Sequence, residues 1–98
     1  MEQIDRKFKI LAVNPVNGRV YTEKNALLLC AKDKAVPVAL RAYRQECIRI
    51  GANAEHVQSV ALLIRRVETF QDDVESRVPD TIGGEIQRCI LGEGLETP

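Results

Sequence analysis

The sequence predicts an α+β fold, mostly helical: an N-terminal β-hairpin packed on a three-helix bundle, with a long third helix and an appended C-terminal segment. Three observations point there. Two β-prone arms flank a turn rich in Asn, Pro and Gly within residues 7–22. Apolar residues recur at helical steps through most of residues 23–78. Pro37, Gly51 and Pro79 punctuate that region where helices should start or stop. Residues 1–79 are expected to form the hairpin and helical domain, and residues 80–98 a partly flexible C-terminal segment.

The hairpin comes first. Phe8-Lys9-Ile10-Leu11-Ala12-Val13 is apolar with β-branched members, and Arg19-Val20-Tyr21-Thr22 alternates. Between them lies Asn14-Pro15-Val16-Asn17-Gly18. Asn-Gly accepts positive φ at low cost, and proline presets a turn. Two strands alone are marginal in water, so one face is expected to pack on helices.

Thr22 suits the N-cap of a first helix, Glu23 to Lys32, with Leu27, Leu28 and Ala31 on its apolar face. Pro37 suits the first turn of a second. Val36, Leu40, Tyr43, Cys47 and Ile50 follow at steps of 4, 3, 4 and 3, which is one helical stripe. Arg41, Arg44, Gln45 and Arg49 occupy the other side, and Gly51 stops the helix.

Asn53 is a candidate cap for the third helix, Ala54 to Arg77. Along it Val57, Val60, Ile64, Val67, Gln71, Val74 and Val78 alternate steps of 3 and 4, a heptad-like seam. At 1.5 Å per residue this helix would be about 36 Å long. A domain of this size is only about 33 Å across. After Gly84, one short helix carrying Ile86 and Ile90 is expected.

The 98 residues carry 14 basic and 14 acidic side chains, so the formal net charge is zero. That argues against a protein whose main task is coating nucleic acid or anionic membrane. Zero is nevertheless a cancellation. Residues 1–49 hold 10 basic and 5 acidic side chains, and residues 50–98 hold 4 basic and 9 acidic. The longest apolar run, Ala26 to Ala31, is far too short to span a bilayer. The first residues lack the apolar stretch of a secretory signal, so a cytoplasmic location is expected.

Cys30, Cys47 and Cys89 are odd in number and widely spaced, unlike a disulfide framework. Cys30 and Cys47, set among apolar residues, read as buried thiols. Cys89 lies near the end of the chain. His56 is the only histidine, and no CxxC, CxH or HxxxH spacing exists, so neither metal nor cofactor is expected. Phe8, Tyr21, Tyr43 and Phe70 are too scattered to form a base-stacking platform.

Four patterns are candidate sites. Residues 37–66 resemble a helix-turn-helix in spacing, with Asn53, Glu55, Gln58, Ser59 and Arg65 on the outer side of the second helix. Asn and Gln can read adenine edges, but Glu55 repels phosphate, and a plain αα-hairpin gives the same spacing. Ile82-Gly83-Gly84-Glu85 has the glycines of a phosphate cradle. Glu85 stands where the anion would go, and a flexible joint is the plainer reading. Asp72, Asp73 and Glu75 form an acidic cluster, and His56 and Ser59 share a helix face. Adjacent Asp side chains diverge, and a His–Ser pair without an orienting acid is a weak triad, so catalysis is not expected. Finally Lys32, Lys34, Arg41, Arg44 and Arg49 form a basic face suited to a partner.

The seam through Val57, Val60, Ile64, Val67, Gln71, Val74 and Val78 carries the leading expectation. Small domains bury little core of their own, and a long apolar seam is well buried against a copy. The chain therefore reads as a homo-oligomeric, non-catalytic interaction module with an unidentified protein partner. Gln71 would set the register. A small DNA-binding regulator is the rival.

Overall fold

The computed structural model describes residues 3–86. They divide into two compact units, one of residues up to Leu28 together with those from Asp80, the other of Leu29–Pro79. The element order is β1 (Leu11–Val13), β2 (Val20–Thr22), α1 (Val36–Arg49) and α2 (Ala54–Asp73).

In the first unit, β1 and β2 pair antiparallel, with Leu11 opposite Thr22, Ala12 opposite Tyr21 and Val13 opposite Val20. Side-chain amides shape the connection. Asn14 Oδ1 accepts from the Val16 N–H and Asn17 Oδ1 from the Arg19 N–H, both at 2.9 Å. Gly18 stands at φ 74°, the left-handed backbone that the Asn-Gly pair anticipates. Every residue of β1 is exposed.

Two carboxylates help to hold this unit, in which Ile10 is the one buried apolar residue among those described. Asp5 is buried, and its Oδ1 accepts from the N–H groups of Lys7 at 2.9 Å and Phe8 at 2.7 Å. Its Oδ2 accepts from the Leu28 N–H at 2.8 Å. Glu23 Oε1 accepts from the Ile10 N–H at 2.9 Å, and the Glu23 carbonyl accepts from Ile4 and Asp5. Lys7 lies 5.5 Å from the Phe8 ring centre and forms a 3.8 Å ion pair with Glu85.

The expected three-helix bundle is overturned: among the described residues there are two helices, although the α+β class and the hairpin stand. The first expected helix, Glu23 to Lys32, is turn and irregular chain. One side-chain bond takes a donor that this helix would need: the Leu28 N–H, in its second turn, is held by Asp5 Oδ2. Asn25 Oδ1 accepts from the Thr22 N–H and Thr22 Oγ1 from the Lys24 N–H, bonds that would equally cap a helix start.

In the second unit, α1 begins with Pro37 in its first turn, as the sequence suggested. Gly51 ends it at φ 84°, with the Gly51 N–H on the Ile48 carbonyl and the Ala52 N–H on the Cys47 carbonyl. Asn53 caps α2, its Oδ1 accepting from the His56 N–H at 2.7 Å. The two helices pack on each other and bury Val36, Cys47, Val60, Ile64 and Val67.

The long helix stops at Asp73, short of the expected Arg77. Its 20 residues span about 30 Å. Asp72 and Asp73 crowd the negative end of the helix dipole, with no basic residue in the last turn. The chain beyond has another use for its backbone. Arg77 donates to the Lys32 carbonyl at 2.7 Å and accepts from the Lys34 N–H at 2.9 Å, a parallel bridge centred on Asp33. The short helix expected after Gly84, with Ile90 and Cys89, lies outside the described residues apart from its first two positions.

Candidate functional site

The two helices of the second unit flank an open cleft of about 400 Å³. From α1 come Arg41, Arg44 and Gln45, which share a face at steps of 3 and 4. From α2 come Ala61, Ile64, Arg65 and Glu68, again at helical spacing. The cleft therefore has an apolar floor, three arginines and one carboxylate.

Those arginines differ. Arg41 pairs with Glu68 across the two helices at 2.5 Å. Arg44 is half-buried, and its Nε is out of reach of solvent with no hydrogen-bond partner. Arg65 is exposed and forms no ion pair among the described residues. The proposed basic face thus divides. Arg41 and Arg44 line the cleft, Arg49 instead clamps Glu46 on its own helix, Lys34 is exposed and Lys32 is half-buried beside the Arg77 bridge. Hydrogen bonding between Glu46 and Arg49 lowers the carboxyl and raises the guanidinium from their ordinary pKa values. Arg65 joins Arg41 and Arg44 only because the helices pack side by side, which no spacing along the chain reveals. The i, i+3, i+4 rhythm of each half was the available signal.

The seam expected to meet a second copy has a different placement along its length. Val60, Ile64 and Val67 are buried within the chain, and Val57 is half-buried. Gln71 donates to the carbonyls of Ala31 and Asp33. Val74 and Val78, beyond α2, are 69% and 71% exposed. The outward apolar residues of the helices are others: Val38 and Ile48 on α1, and Leu62 and Leu63 on α2.

The remaining candidates do not converge. Tyr43 and His56 meet at the helix junction, with the hydroxyl 3.0 Å from Nε2 and the rings edge-on at 76°. A hydrogen bond to Cys47, with the thiol's charge and partial burial behind it, raises the Tyr43 phenol above its ordinary pKa. Ser59 Oγ donates to the His56 carbonyl at 2.7 Å, so the hydroxyl serves the helix backbone and not the imidazole. Asp72 and Asp73 are exposed, and Glu75 pairs with Arg77 at 3.0 Å. Among the described residues no three His, Cys, Asp or Glu side chains gather closely enough to hold a metal ion. Cys47 is buried and Cys30 half-buried, and both are free thiols. Of the helix-turn-helix positions, Asn53 has its amide oxygen engaged in capping, while Glu55, Gln58 and Ser59 are exposed. In the Gly83-Gly84 segment the Ile82 N–H is taken by the Glu85 carboxylate at 2.8 Å, where an anion would have bound.

No described helix is long and apolar enough to cross a membrane. No protein family, curated protein or solved structure matches the chain.

Proposed function

We propose that the chain is a self-associating, non-catalytic protein-interaction module that works in the cytoplasm. One observation carries this reading. Leu62 and Leu63 stand outward on α2, each nearly half exposed, while no large side chain of the described residues is fully buried. A unit with so thin a core gains stability by covering apolar surface against a second copy. The partner surface is therefore the outer side of α2, with Leu62 and Leu63 in place of the buried Val60, Ile64 and Val67. The two oppositely charged halves of the sequence favour a second copy as occupant, although exposed ion pairs add at most about 1 kcal/mol each.

An assembling protein melts at a temperature that depends on its concentration. The Tm is expected to rise as the chain is concentrated from about 1 μM to about 100 μM. A flat Tm over that range would remove the proposal. The rival, a DNA-binding regulator built on residues 37–66, has Glu55 set against phosphate in the first turn of α2.

A further inference from the structure

We propose that the cleft between α1 and α2 binds an acidic peptide segment of a partner protein. One carboxylate would sit between Arg44 and Arg65, with an apolar neighbour over Ala61 and Ile64. This goes beyond self-association and does not depend on it, because the cleft lies within a single helical unit.

Two features carry the proposal. The first is charge. Glu68 balances Arg41, which leaves Arg44 and Arg65 as two guanidinium groups without an acidic partner among the described residues. Guanidinium forks bind carboxylates through paired, charge-assisted hydrogen bonds. The second is lining. The cleft is open and about 400 Å³, room for a side chain or two of an extended peptide, and Ala61 and Ile64 in its lining favour an anion attached to something apolar.

The surroundings select a short peptide over a nucleic acid. Glu68 stands in the wall, and Glu55, Asp72 and Asp73 are exposed on the same helix. A continuous polyanion would run against those carboxylates. A peptide presenting one acidic side chain to Arg44 and Arg65 faces Glu68 alone among them, and Arg41 offsets that charge.

The test is fluorescence anisotropy with a fluorescein-labelled peptide of alternating glutamate and leucine. Its glutamine–leucine counterpart, inorganic phosphate and a short DNA duplex serve as comparisons. Saturable binding of the acidic peptide is expected, with no binding of the neutral one. The double variant R44Q/R65Q should weaken binding about tenfold or more. R66Q, which removes an exposed arginine not lining the cleft, should leave it unchanged. All variants should keep the far-UV dichroism of the wild type, since the substitutions remove no salt bridge. The proposal is overturned by absence of saturable binding, by equal affinity in R44Q/R65Q, or by DNA or phosphate binding more tightly than the peptide. A monomeric chain that still binds the peptide would remove self-association and leave this site standing.

Discussion

Gln71 ties α2 to the segment ahead of α1: its Nε2 donates to the Asp33 carbonyl at 2.7 Å and also reaches the Ala31 carbonyl at 2.9 Å. Asp33 is at the same time the centre of the bridge to Arg77. One polar side chain in an otherwise apolar seam thus anchors both ends of the helical unit. Replacing Gln71 with Leu leaves two partly buried carbonyls without that donor. The expected loss is about 1–2 kcal/mol, read as a lower urea midpoint. Unchanged stability would show that the two contacts contribute nothing.

Asp5 should make stability fall in acid. Burial pushes its carboxyl up, but the N–H groups of Phe8, Lys7 and Leu28 and the Lys7 charge outweigh that and hold it below its ordinary value of 3.8. A carboxyl depressed in the folded state stabilises the fold above its unfolded pKa. That contribution shrinks as pH falls through the unfolded value and is gone below the folded one. Asp5→Ala should cost about 2–4 kcal/mol near neutral pH and flatten the acid limb of the stability profile. A variant with an acid limb as steep as the wild type's would locate the titration elsewhere.

The turn between the helices tests a backbone argument in isolation. A Cβ at Gly51 would meet no atom within 4 Å, so Gly51→Ala probes only the φ of 84°. The expected loss is about 1–2 kcal/mol. Gly51→Asn, which tolerates the left-handed region better, should lose less. Equal losses would point to a contact and not to conformation.

Core and surface positions of α2 should separate cleanly. Ile64 is 7% exposed and Leu62 47%. Ile64→Ala should cost about 2–3 kcal/mol, near the low end for such truncations because so open a core relaxes readily. Leu62→Ala, measured in dilute solution, should change stability by less than about 0.5 kcal/mol. The reverse order in denaturant titrations would mean that the outward side is the one that holds the unit together.

Much of this architecture was legible in the sequence, for reasons that can be named. Asn17-Gly18 demanded a positive-φ turn and received one. Pro37, Gly51 and Asn53 marked three of the four helix ends within a residue or two. Residues 23–32 do not form the helix their composition favours, because Asp5, distant in sequence, takes the Leu28 N–H, and the apolar pattern carries no sign of that. α2 ends at Asp73 although Val74 and Val78 continue the seam in step, because the backbone there turns away to pair Arg77 with the chain around Asp33. The cleft was only half legible. Arg41 and Arg44 stood out as a basic face, but their meeting with Arg65 depends on how two helices pack.

Self-association through the outer side of α2 is read directly by light scattering on the chain at about 100 μM. The expected mass is twice the 11.0 kDa of one chain, falling to the single-chain value in L62K/L63K, with unchanged far-UV dichroism showing that the variant is folded. A wild-type mass of 11.0 kDa at that concentration, or a doubled mass that L62K/L63K retains, would contradict it.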